Sequence, residues 1–186
     1  ADAAAALADV RRRATSSAFR RLIARLAGVR PVAQRADVRR FRPGLDYTVA
    51  HAGDASPVLD LTFCFLSAGG DAEDWASGEV GGFETYVEAE GDDADAAIYE
   101  REGAEGEGGD DGGDLLSVEA QHNTLSIVLR DPGTLRFVKF VSTDAPGSRW
   151  DVELVCDLHP DDLPDPDASG DDDSDGSDDD DPGGDA

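Results

Sequence analysis

Apolar positions along this chain change period once. Between Ser16 and Ala27, Phe19, Leu22, Ile23 and Leu26 recur at i, i+3, i+4 and i+7, the spacing of one stripe on a helix. Ser16 or Ser17 suits the N-cap and Gly28 the stop, and the Ala-rich residues before Arg13 also permit helix. The stripe is expected to pack against the body of the protein; a free amphipathic membrane helix is the functional alternative. From Ala36 the period becomes two. Leu45, Tyr47 and Val49 alternate with Asp46, Thr48 and Ala50, which reads as a half-buried strand after the Pro43-Gly44 turn. Further strands are expected at Val58–Leu66, Gly82–Glu88, Leu115–Val118, Thr124–Arg130, Leu135–Val141 and Trp150–Cys156, with Asp131-Pro132-Gly133 as a turn. Phe63, Phe65, Ile127, Leu129, Phe137 and Val155 are the expected core.

Seven or eight short strands separated by Gly/Pro turns predict a mainly β fold, a double-stranded β-helix or jelly roll, preceded by one or two N-terminal helices. The expected organisation is a helical or linker segment at 1–15, the jelly roll at 16–159 and a disordered Asp-rich tail at 160–186. Residues 89–114 break the strand pattern with Gly, Asp and Glu and read as a flexible acidic insertion.

Charge sharpens this picture. The net charge of the 186 residues is −26, and it is segregated. Residues 1–45 hold eleven Arg and three acidic residues; residues 46–159 hold five basic and 26 acidic residues; residues 160–186 hold thirteen Asp and no base. So acidic a body repels phosphate backbones, which argues against direct nucleic-acid binding and favours basic protein partners. No run approaches the roughly 20 apolar residues of a membrane span. Cys64 and Cys156 are isolated inside apolar runs, which is neither a disulfide framework nor a zinc site and points to reduced, buried thiols.

Catalytic signals are sparse. None of His51, His122 and His159 has a metal partner at helical spacing. An iron triad on a jelly roll needs a His and a carboxylate two residues apart plus a distant His; Gly53 stands where the carboxylate after His51 would be, and Asp54 is one residue too far. His122 reads as a surface or turn residue, and His159 opens the tail. The Gly-rich run 103–113 is too acidic to cradle phosphate, and the acidic runs lack the ligand spacing of a calcium loop. Arg149 could grip a carboxylate through both arms of its guanidinium, or pair with a local Asp while Trp150 fills the core; the second is favoured. The Gly81-Gly82 pair reads as a tight bend, or as a place where a ligand meets the backbone.

Taken together, RRFRPGLDYTVAH, LDLTFCF, WASGEVGGFETYV, NTLSIVLRDPGTLRFVKFVS and GSRWDV, preceded by SSAFRRLIARLAGV, resemble the C-terminal domain of the yeast-type ribosomal prolyl 3-hydroxylases, a family of 2-oxoglutarate and Fe(II)-dependent oxygenases. The resemblance covers about residues 16–157 and implies two tandem jelly rolls, the first catalytic and the second a degenerate copy. It places His51 at a vestigial first iron-ligand position, Gly53 at the missing carboxylate, Val138 near the missing distal His and Arg149 near the 2-oxoglutarate-binding base. The expectation is therefore no catalytic or metal site and no cofactor in this chain, with Fe(II), 2-oxoglutarate and ascorbate belonging to a parent enzyme of the nucleus or cytoplasm. Its implied partners are the catalytic jelly roll of the same polypeptide and a basic ribosomal protein. With no Met in the chain, a fragment of a longer product is the expected origin. The alternative from a different class is an acidic jelly-roll chaperone or binding module for basic proteins such as histones.

Overall fold

The computed structural model describes residues 2–50, 56–67, 72–88 and 114–163. Two helices lead, α1 (Ala3–Ala14) and α2 (Ser17–Ala27), followed by β1 (Pro31–Phe41), β2 (Val58–Leu66), a short α3 (Ala72–Ala76), β3 (Glu84–Glu88), β4 (Asp114–Val118), β5 (Thr124–Arg130), β6 (Thr134–Val138) and β7 (Arg149–Leu158). The helices start and stop on local chemistry. Asp2 caps α1, and Ser16 Oγ accepts from Phe19 N at 3.2 Å to cap α2. Gly28 ends α2 at a φ of +75°, a left-handed conformation that glycine adopts at little cost.

The strands form two antiparallel sheets, β1-β7-β2-β5 and β4-β3-β6. This is the mainly β, curled double-sheet architecture that the strand pattern predicts. Chain-adjacent strands cross between sheets: β4 and β5 are joined by the turn at Asn123, β5 and β6 by the Asp131-Pro132-Gly133 turn, where Thr134 N donates to Asp131 O.

The four-stranded sheet, with β2 and β7 in its centre, is covered on both faces. One face is apolar. Leu59 and Leu61 of β2, Val152, Leu154, Cys156 and Leu158 of β7 and Ala36 of β1 pack beneath Ala14 and Ile23 of the helices. Phe19 meets Phe63 with ring centroids 5.6 Å apart. The opposite face carries Asp60, Thr62 and Cys64 of β2 and Arg149, Asp151 and Glu153 of β7, and it turns toward the three-stranded sheet. At one end of that interior a second apolar cluster joins Phe41, Cys64, Trp75, Val80, Val138 and Val141.

Several expectations are corrected. Residues 45–49 form no strand: Thr48 and Asp46 bond to Val138 and Val141, and Leu45, Tyr47 and Val49 face outward. The alternation was real, but the polar set, not the apolar one, turns inward. The core is centred on Leu59, Leu61, Val152 and Leu154; Phe63, Phe65, Ile127, Phe137 and Val155 are half-buried and Leu129 is exposed. Only half of the α2 stripe packs, since Leu22 and Leu26 are exposed. Within the expected helical or linker segment 1–15, α1 packs on the core through Leu7, Val10 and Ala14. At the other end, Pro160–Asp162 form a 3-10 turn and Leu163 packs on the core, so folded structure runs past the expected boundary at 159. Residues 164–186 and most of the expected insertion, residues 89–113, lie outside the described residues; Asp114 opens β4.

Candidate functional site

The chemistry of this fold is concentrated in the interior between the sheets. Strand periodicity puts alternate residues there. On the four-stranded sheet the antiparallel register sets Arg39 of β1 beside Asp151 of β7, and Asp151 beside Cys64 of β2. From the opposite sheet come Glu84 and Tyr86 of β3 and Arg136 of β6, with Tyr86 directly across from Arg136.

Four arginines meet four carboxylates in this space. Arg136 Nε donates to Glu84 Oε1 at 2.6 Å and Nη2 to Thr62 Oγ1 at 2.7 Å, while Nη1 bonds Glu153 and lies 3.4 Å from Asp60. Arg130 Nε donates to Asp60 Oδ2 at 2.7 Å. Arg39 reaches Asp151 at 3.1 Å and Glu153 at 2.9 Å. Arg149 Nε donates to Asp151 Oδ1 at 2.8 Å, and its Nη1 donates to the Gly82 carbonyl. Aromatic rings back the cations: Phe41 lies 5.3 Å from Arg39 and 5.8 Å from Arg149. Burying a charge is tolerated only where it is paired and hydrogen-bonded, and these pairs are what allow a charged interior to exist.

The environment is dry enough to move ionisations. Burial pushes the Cys64 thiol up to about 12 and the Cys156 thiol up to about 11. Burial also raises the Tyr86 hydroxyl, and the Glu84 carboxylate adds to the shift. Burial works against the Arg149 guanidinium, but attractions led by the Asp151 carboxylate together outweigh it and raise its pKa. Burial opposes the charge of Arg136 likewise, and Glu84 leads the attractions that lift it instead.

The sequence candidates fall into place as follows. Arg149 grips its neighbour Asp151, not an open site. Trp150 is half-buried on the other face, under the Arg40 guanidinium at 4.8 Å. Gly81 and Gly82 form the bend: their φ angles are +68° and +71°, and a Cβ on Gly81 would sit 1.9 Å from the Phe140 carbonyl oxygen. His122 occupies the turn before β5, where Nδ1 accepts from Leu66 N at 3.1 Å. His159 caps the C-terminal turn. His51 and Gly53 lie outside the described residues. Val138, near the expected distal ligand position, is buried and has no donor atom for a metal. The described residues do not fit an iron and 2-oxoglutarate centre, because the interior carboxylates are held by arginines and Arg149 is already held by a carboxylate. No three His, Cys, Asp or Glu side chains converge on a metal position among the described residues. An open groove of about 450 Å³ between β4 and β5, lined by Ser117, Glu119, Gln121, Thr124 and Ser126, offers hydroxyl, amide and one acidic group.

Sequence reasoning missed Arg39, Asp60, Glu84, Arg130, Arg136 and Glu153 as a set. A signal was present: Asp60 and Thr62 interrupt the apolar run of β2 two residues apart, which puts both on one face. The words that carry the family resemblance are the words that build this interior, from Arg39 and Phe41 through Asp60, Glu84 and Arg136 to Arg149 and Asp151.

An N-terminal helical pair on a curled double antiparallel sheet with a charge-paired interior defines a jelly-roll domain, with no metal centre assembled among its described residues. Residues 1–162 match the family model for the oxoglutarate and iron-dependent oxygenase degradation C-terminal domain, and the chain belongs to that family. It is also 38% identical over 139 residues to a prolyl 3,4-dihydroxylase, OGFOD1, of Ostreococcus tauri, an alignment covering 74% of this chain and 26% of that protein. The chain thus spans about a quarter of that relative's length.

Proposed function

We propose that this chain serves as the non-catalytic C-terminal domain of a 2-oxoglutarate and Fe(II)-dependent prolyl hydroxylase, where it supports the catalytic jelly roll and helps hold the substrate protein. The observation that carries the reading is the interior itself. The volume in which an active jelly roll binds its metal and cosubstrate is here crossed by Arg136, Arg149, Glu84 and Asp151, each engaged by another side chain of the same domain. The membership in the oxygenase C-terminal family and the likeness to a prolyl dihydroxylase support the parent activity.

The substrate in this reading is a basic ribosomal protein of the small subunit. The acidic balance of residues 46–186 suits it through long-range attraction, which salt screens beyond roughly 10 Å at 0.1 M. Fe(II), 2-oxoglutarate and ascorbate act in the catalytic domain, and the work is nuclear or cytoplasmic.

The test compares a two-domain relative with and without this domain. Peptide hydroxylation and the KM for the protein substrate are measured at two salt concentrations. The reading requires that removal raise the KM for the intact basic protein more than for a short proline peptide. Equal activity toward both substrates with the domain absent overturns it.

A further inference from the structure

One helix face remains without a partner. Leu22 and Leu26 of α2 are 50% and 63% exposed, and Arg21 and Arg25 form the neighbouring row at the same four-residue spacing. Neither arginine has an ion-pair or hydrogen-bond partner among the described residues. Arg20 donates to the Val32 carbonyl at 3.0 Å, so its charge too meets no carboxylate there. On α1, Arg12 and Arg13 share the single carboxylate of Asp9. The helical pair is therefore a strongly cationic region of a chain whose net charge is −26.

The other end of the folded body lies beside it. His159 N donates to Arg30 O at 2.9 Å, and Asp162 accepts from Arg30 N at 2.7 Å and from its guanidinium. Leu163 packs on the core along with Ala27 and Val29. The chain thus leaves the body within three residues of Gly28, the end of α2. The segment that follows, 164–186, contains eleven Asp and no basic residue.

We propose that residues 164–186 dock in cis on the exposed face of α2, with their carboxylates set against Arg21 and Arg25. Reach is ample: 23 residues can extend up to about 75 Å, against about 16 Å for an eleven-residue helix. Tethering beside the helix also gives the segment a local concentration on the order of millimolar, which favours it over free acidic competitors. The contact is ionic, because the segment has no large apolar side chain to cover Leu22 and Leu26.

The experiment uses the full chain. A nitroxide is attached at Ser177→Cys, the native thiols being buried, and relaxation enhancement of backbone amides is read by NMR. At low salt the amides from Ala18 to Leu26 are broadened; the broadening is lost at 0.5 M NaCl and in the Arg21→Glu, Arg25→Glu variant, whose side chains are exposed. A second variant, Asp178→Asn through Asp181→Asn, binds a poly-glutamate probe several-fold more tightly than the parent chain. Even broadening over the surface overturns the proposal. So does broadening seen only when spin-labelled and isotope-labelled molecules are mixed, which would indicate a second copy as the occupant. Unchanged poly-glutamate binding by the second variant also counts against it.

Discussion

Arg149 and Asp151 stand two residues apart on β7 and point the same way into the interior, Nε to Oδ1 at 2.8 Å, with both side chains buried. The same Asp151 accepts from Arg39 at 3.1 Å, so one carboxylate joins two strands. Removing it leaves Arg149 without its carboxylate, while Arg39 keeps Glu153 at 2.9 Å. Asp151→Ala is expected to cost about 3–5 kcal/mol, the range for an uncompensated buried charge. Replacing Arg149 and Asp151 together by Leu is expected to cost less than the sum of the single changes. Urea unfolding of the two single variants and the double variant measures the difference, and additivity would show that the pair does not act as a unit.

The bend at Gly81 is a backbone requirement. Gly81→Ala places a Cβ 1.9 Å from the Phe140 carbonyl oxygen at a φ of +68°, and it is expected to destabilise by about 2–5 kcal/mol. Gly133→Ala, at a φ of +79° with no heavy atom within 4 Å, is expected to cost only about 1–2 kcal/mol. Thermal melts of the two variants check the order.

The thiols should be silent in the folded protein. With Cys64 pushed up to about 12 and Cys156 to about 11, native protein at pH 8 is expected to resist iodoacetamide until denaturant is added. The same shifts fix an alkaline limit. A thiol with a raised folded pKa gives its full contribution below the ordinary value of 9.0, and the contribution is lost as pH rises toward 12. Stability measured from pH 8 to 11 should fall, and Cys64→Ala should flatten that fall.

The turn at residues 42–46 sets an acid response. The Arg42 guanidinium and then its backbone N–H hold the Asp46 carboxyl at about 2, below its ordinary 3.8. Its stabilisation is present above pH 4 and is lost as pH falls from 4 through 2. Asp162, held low by Arg30, adds a loss of the same sign. Melting temperatures between pH 5 and 2 should drop more steeply for the parent chain than for Asp46→Asn.

The positions of β2 to β7 and the two-sheet class followed from period two, because a strand with one covered face must alternate; β1 at Pro31–Phe41 was not legible that way. The face chosen did not follow where both faces are covered. Asp60 and Thr62 sit in β2 between leucines, and only the opposing sheet explains why they point inward. Arg136 and Glu84 are 52 residues apart in sequence, so their pairing exists only in the folded register. Leu45, Tyr47 and Val49 show the converse: the pattern was strand-like, but the opposite facing is fixed by Val141 N donating to Asp46 O and by the paired bonds between Thr48 and Val138. Glycine chemistry was the most transferable signal, since Gly28 and the Gly81-Gly82 pair do what their sequence context implies.

The proposed role has the interior of this domain closed by its own ion pairs, with the oxygenase chemistry done elsewhere. It is tested most directly by supplying the purified chain with Fe(II), 2-oxoglutarate and ascorbate and measuring succinate release together with binding of 2-oxoglutarate by calorimetry. The expected result is neither turnover nor heat of binding. Succinate formation, or 2-oxoglutarate binding that Arg149→Gln abolishes without unfolding the protein, would contradict it.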